Sequence, residues 1–263
     1  MAWRAYLQEH PRIYGLPTVL ALLTIWEILS RSNMINGHLV PPASAVLEVF
    51  VLQWTSYEFL RHVVITLFRM ASGYVTAVVV AIPLGLLMGY WRRLFDMLEL
   101  TIEVIRPIPT SALIPVAIIF FGISHTMHSF VVFLASFMPI LLSTIDGVRA
   151  VDPVLIETSS TLGTPAHRIF PRVIVPAAMP HIVTGLRTSI ALALIVAVSS
   201  EMIISSEGLG WSVLYAQRTM RVPQIYAGIL SLAAVGYLLN RAFLVLEAWM
   251  IGWHLRATTK QWA

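Results

Sequence analysis

The chain has 263 residues, 58% hydrophobic and only 11% charged, with a mean hydropathy of +0.81, whereas soluble domains carry roughly 25% charged residues. That composition excludes an ordinary soluble protein and specifies an all-α integral membrane protein, because each span takes about 20 apolar residues and the length leaves room for five or six. The net charge of +4 comes from basic residues scattered between apolar runs; they form no basic stripe of the kind nucleic acid needs, so the charge bears on membrane orientation.

With no cysteine, disulfides and thiolate metal sites are ruled out. The opening stretch MAWRAYLQEHPRIYG lacks a small-residue cleavage site ahead of the first apolar run, so that span is expected to remain uncleaved. Apolar runs at 15–30, 63–90, 98–121, 127–148, 178–203 and 224–250 predict about six transmembrane helices. An even number puts both termini on one side. Placing them in the cytoplasm leaves Arg4, Arg12, Arg92, Arg93, Arg149, Arg168, Arg172, Arg256 and Lys260 inside, against Arg31, Arg61, Arg218 and Arg221 outside, the bias that the positive-inside rule requires.

After the first run, PPASAVLEVFVLQW (41–54) has the prolines and serine of a helix start but is too short to span, and is expected to lie along the outer surface. In the second run Arg69 is expected to snorkel or to pair with a neighbouring span. Ala81, Gly85 and Gly89 repeat at four-residue spacing, a small-residue face for close helix packing, with a part in a dimer contact as the second reading.

The third run contains Arg106-Pro107-Ile108-Pro109-Thr110-Ser111. Two prolines inside a span remove donors and break the helix, and the freed carbonyls must face protein or water. Arg106, Pro107, Pro109 and Ser111 therefore become candidates to line a path, with Arg106 offering charge to an anion; the competing reading is a packing kink with Arg106 paired to Glu103. His125 and His128 fall in the next connection, where a shared metal competes with plain solvated loop histidines.

ETSSTLGTPAHRIFPRVIVP (157–176) interrupts the apolar pattern. Asp152 and Pro153 read as cap and first residue of a short helix running through Glu157 to about Leu162. Gly163 ends it, Thr164 and Pro165 repeat the start signal for a second helix to about Phe170, and Pro171, Pro176 and Pro180 shape the re-entry into the membrane. Leu155, Leu162, Ile169 and Phe170 are available to pack, and Glu157, His167, Arg168 and Arg172 to pair. Spacing alone leaves a partner-docking element and an ordinary capped loop equally open.

In the fifth run Arg187 and Glu201 stand fourteen residues apart, roughly 21 Å along one helix, so each needs a partner elsewhere. Glu201 is a candidate for the path, for a gate or for a structural pair; Arg241 in the sixth run reads as structural. Ser205-Ser206-Glu207-Gly208-Leu209-Gly210-Trp211 reads as a turn. The single lysine, Lys260, stands near the end of the sequence, so no G-x-x-x-x-G-K-[ST] phosphate loop is present.

Glu157, Gly163 after six positions, then Val173, Val175 and Pro176 resemble the EAA loop of ABC importer permeases, with Thr158 and Ser159 where two alanines usually stand. LPTVLALLTIWEILSR, LVPPASAVLEVF, GLLMGYW, RPIPTSALIPVAIIFFGIS and SSEMIISSEGLGW resemble in order the nitrate, taurine and aliphatic sulfonate branch. The resemblance implies the type I ABC importer (MetI-like) permease fold as a single domain over 1–263, with the first span and external helix at 15–62 and the core at 63–253. It makes 153–172 a coupling helix seated in an ATPase, with Glu157, Thr158, Ser159, Leu162, Gly163, His167, Arg168, Phe170 and Pro176 in that contact. It further implies a bacterial cytoplasmic-membrane location, a second permease copy, an ATP-binding cassette dimer holding ATP and Mg, and an external binding protein docking near 205–211. No cofactor and no catalysis are expected on this chain. The solute is expected to be an oxyanion such as nitrate, taurine or a sulfonate, with neutral solutes open. The alternative function is an ATP-independent secondary carrier or channel; a membrane enzyme would need a His and carboxylate cluster that the sequence does not display.

Overall fold

The computed structural model describes residues 12–32 and 39–259. Arg4 and Lys260, counted above toward orientation, lie outside them. All regular structure among the described residues is helical: α1 (Arg12–Arg31), α2 (Ala43–Thr55), α3 (Tyr57–Tyr90), α4 (Arg92–Ile105), a 3-10 turn (Thr110–Leu113), α5 (Ile114–Phe121), α6 (His125–Arg149), α7 (Pro153–Thr161), α8 (Ala166–Ile169), a π turn (Phe170–Ile174), α9 (Val175–Ile204), α10 (Leu209–Arg218) and α11 (Val222–Thr259).

The apolar runs predicted from sequence fall on helix, except that the third is interrupted at 106–109. Four stretches, Tyr57–Tyr90, His125–Arg149, His167–Ile204 and Val222–Gly252, are long and apolar enough to cross a membrane. The third predicted span is a bent pair, Arg92–Ile105 and Thr110–Phe121, whose axes meet at 86°. The first predicted span falls on the 20-residue α1, about the length a helix takes to cross the hydrocarbon core.

The described residues divide into two compact units. One comprises residues up to Arg61 together with Ser212–Leu232. Here Glu27 holds the start of α2, accepting from the Ser44 amide at 3.0 Å and from Arg31 Nε at 2.6 Å, and Trp54 Nε1 donates to Ser231 Oγ at 3.1 Å. α2 is apolar but too short to span, as expected, and it leaves Leu47, Val51 and Leu52 exposed.

The other unit comprises His62–Trp211 and the chain from Ala233 onward. Its core runs along α6, which lies between α3 and α9: Ala77, Ala81 and Met88 of α3 meet Ile140, Leu141 and Ile145 of α6, and Ala178, Ile182 and Val183 of α9 close the other side. Glycines set the spacing. A Cβ on Gly85 would stand 2.7 Å from Thr144 Cβ, one on Gly89 2.6 Å from Val148 Cβ, and one on Gly147 2.7 Å from His181 Cβ. The small-residue face of α3 is thus filled by α6 of the same chain, which leaves it no part in a dimer contact.

The connection after α5 also differs from expectation. Ser124 accepts from the Met127 amide at 3.3 Å and starts α6 at His125, so both histidines belong to a helix rather than a loop, and His128 is buried against Ser200 Oγ at 2.9 Å. No group of three or more metal-ligating side chains occurs among the described residues.

Candidate functional site

The segment that interrupts the apolar pattern forms a helix, a glycine turn and a helix. Asp152 caps α7 through the Val154 amide at 2.9 Å, with Pro153 in the first turn. At the other end Gly163 adopts φ +80°; its amide donates to Ser160 O at 2.9 Å and that of Thr164 to Ser159 O at 3.0 Å. These are the paired bonds of a Schellman stop, which needs the left-handed conformation that glycine adopts without steric cost. The second start signal is weaker than expected, because Pro165 caps α8 with no side-chain bond. The second α-helix ends at Ile169, as expected, but the chain stays helical beyond it. Pro171 and Pro176 lack amide donors, and the chain passes through a π turn in which Val175 N reaches back to Phe170 O, before continuing as α9.

This register divides the loop by face. Ile169 is buried and Phe170 half-buried, packed with Ile156 and Val173 on the core of their own unit. Leu162 is 80% exposed, and Leu155, Glu157, Thr158, Gly163, His167 and Arg168 are exposed beside it, while Ser159 and Pro176 are partly covered. The outer face is therefore apolar at Val154, Leu155 and Leu162 and charged at Glu157 and Arg168.

The break in the third predicted span opens a cavity of about 500 Å³ lined by Arg106, Ile108, Thr110, Phe137, Ser143 and Asp146, among others. Pro107, Pro109 and Ser111 bend the backbone around it without lining it. No ion pair joins Arg106 to Glu103 among the described residues, which removes the packing-kink reading for that arginine. Asp146, the carboxylate in the same wall, was not singled out from sequence.

Glu201 is fully buried and lies in a different place. Its carboxylate accepts from Arg69 at 2.9 Å, from the Thr66 hydroxyl at 2.8 Å and from the Gly210 amide at 3.0 Å. Arg69, itself buried, also donates to Glu207 O at 2.9 Å, Ser205 Oγ at 3.1 Å and His125 Nδ1 at 3.1 Å. Arg187 instead pairs with Glu247 at 3.6 Å, and the Arg241 guanidinium stands 5.9 Å from the Tyr237 ring. Glu201 thus fastens the 205–211 turn to α3 and α9 and does not line the cavity beside Arg106. Sequence reading missed Thr66 and His62, although His62, Thr66 and Arg69 mark one face of α3 at spacings of four and three.

A model of the family described as binding-protein-dependent transport system inner membrane component matches residues 81–252. A putative ABC transporter permease protein of Methanocaldococcus jannaschii is 34% identical over 86% of each chain. The taurine transport system permease protein TauC of Escherichia coli is 30% identical over 97% of this chain and 94% of its own length. The putative aliphatic sulfonates transport permease protein SsuC of Bacillus subtilis is 27% identical over 91% and 87%. Among solved structures, a chain of the inward-facing MetNI methionine ABC transporter superposes with TM-score 0.64 over 74% of this chain and 96% of that one, at 17% identity. The helical core around α6, the helix–glycine–helix loop and the family match over residues 81–252 together establish that the chain belongs to the binding-protein-dependent transport system inner membrane components, the permease subunits of ABC importers.

Proposed function

We propose that the outer face of residues 153–172 seats this permease on an ATP-binding cassette partner, and that the partner, not this chain, holds ATP and Mg. The observation that carries this reading is the division of the loop: Ile169 and Phe170 anchor it in the core, while Leu155 and Leu162 project apolar surface at 49% and 80% exposure with Glu157 and Arg168 beside them. An apolar centre with a charged rim suits a groove on another protein. A rigid anchor lets movement of that partner be passed to α9. Two copies of the permease, with both termini and the loop in the cytoplasm, pair around the path. A binding protein delivers solute on the opposite side, near residues 205–211.

The solute proposed is a small oxyanion. Arg106 in the cavity wall supplies a positive charge where a broken helix exposes the backbone, and relatives are named for taurine, aliphatic sulfonates and bicarbonate. Because the binding protein selects the solute, the cavity needs only weak contacts.

The test is gentle purification of the tagged chain from its membrane, with identification of the co-purifying proteins and an ATPase assay. A stoichiometric P-loop ATPase, absent when Leu155 and Leu162 are both replaced by aspartate, is the expected result. A chain that purifies alone under several detergents and moves solute in liposomes without ATP overturns the coupling assignment.

A further inference from the structure

A second cavity, of about 480 Å³, lies at the junction of α3, α4 and α6, lined by Tyr90, Arg92, Phe95, Asp96, Glu99 and Arg149. Its position follows from the sequence around it. α3 is an apolar span that ends at Tyr90, and Tyr90 and Trp91 are about half exposed there, the placement aromatic side chains take at a membrane boundary. The charged residues follow at once. Arg92, Asp96 and Glu99 repeat at spacings of four and three along α4, one face of a helix, and Arg149 ends α6.

Two cations and two anions therefore surround one space, yet no ion pair joins any of them among the described residues. Arg92 and Asp96 stand four apart on one helix, within reach of each other, and do not close. The Arg149 guanidinium is held 3.6 Å above the Phe95 ring. That contact fixes the cation in place through the ring face and leaves its N–H donors available.

From this arrangement we infer that the cavity binds a phospholipid headgroup carrying both a phosphate and a primary ammonium, the phosphoethanolamine type. Arg92 and Arg149 take the phosphate, for which a guanidinium fork is suited. Asp96 and Glu99 take the ammonium. A purely anionic headgroup would meet two unpaired carboxylates, so the site discriminates by charge pattern. Tyr90 gives it a connection to the loop: its ring lies 4.9 Å from that of Phe170, edge on, so a lipid against Tyr90 bears on the segment anchoring residues 153–172. The binding site itself stands independently of what that loop contacts.

The experiment is native mass spectrometry on the full chain in its purified assembly, delipidated and then titrated with phosphatidylethanolamine, with phosphatidylglycerol, and with soluble phosphoethanolamine. Phosphatidylethanolamine should be retained in preference to phosphatidylglycerol. Arg149→Gln should lower its occupancy about tenfold, the weight of one charge-assisted hydrogen bond, and Arg149→Lys should restore part of it. Asp96→Asn with Glu99→Gln should abolish the preference between the two lipids, a result that general loss of stability would not give and that remains readable if Arg149→Gln fails to fold. Equal retention of both lipids by the unaltered protein, or no effect of the Asp96 and Glu99 changes, overturns the inference. Soluble phosphoethanolamine binding as well as the lipid would assign the cavity to a free solute and overturn it likewise.

Discussion

Burying Arg69 and Glu201 together is stabilising only because each has several partners. The carboxylate has three donors and the guanidinium reaches Glu201, Ser205, Glu207 and His125, so desolvation is offset by charge-assisted bonds. Removing Arg69 leaves the Glu201 carboxylate uncompensated, and removing Glu201 leaves Arg69 only the longer pair with the Glu207 carboxylate at 3.6 Å. Glu201→Gln should therefore cost about 3–5 kcal/mol, read as a lowered unfolding temperature in detergent, whereas Arg69→Met with Glu201→Leu should lose less than the two single changes added together. If the double variant is no better than the sum, the pair is not the coupled unit described. Gly208 adds a steric check: at φ +110° a Cβ would overlap the Glu201 carboxyl, so Gly208→Ala should imitate Glu201→Gln. The sequence marked both charges as costly inside a membrane, but not their pairing, because Arg69 and Glu201 are 132 positions apart and no local spacing joins them. Arg187, too far along the same helix to reach Glu201, finds its own partner in Glu247, a pairing that local spacing also did not mark.

At the scale of helices, close packing of α3 on α6 depends on side chains that are missing. Gly85 and Gly89 let the backbones approach until Thr144 and Val148 fill the space a Cβ would take. Gly85→Leu should thus force the helices apart and cost about 1–3 kcal/mol by overpacking, while Gly252→Ala, with nothing within 4 Å of its added Cβ, should leave the unfolding temperature unchanged. Equal effects at the two positions would mean that helix propensity, not contact, sets the outcome. Four-residue spacing of small residues made this face legible; which helix fills it depends on tertiary order and was not. The loop shows the same division. Asp152, Pro153 and Gly163 announced one helix and its stop through local backbone chemistry, and the structure has both. The end of the second helix near Phe170 was legible as well, but the π turn that carries the chain from Phe170 into α9, absorbing the missing proline donors, has no sequence signal of its own.

Across the whole molecule, the proposed importer places two tasks on separate parts of one unit, and separate variants should expose them. Gly163 sits in the loop at φ +80° with open space around it, so Gly163→Val meets no neighbour and acts only through backbone strain, about 1–3 kcal/mol. It should unseat the 153–172 segment from its partner, abolishing ATP-driven uptake and ATPase co-purification while membrane insertion persists. Arg106, in the cavity wall with Asp146, is far along the chain from that turn, and Arg106→Gln should leave the partner bound and ATP hydrolysis intact. What it should change is passage: uptake of an anionic solute falls about tenfold at low ionic strength and less at high salt, as expected when one steering charge is removed. Asp146→Asn should hold or raise that uptake, because it removes the charge an anion avoids. Measuring ATPase activity and solute uptake together in proteoliposomes separates the cases. An Arg106→Gln protein that loses both would place the arginine in coupling, and one that loses neither would leave the cavity without a role in the path.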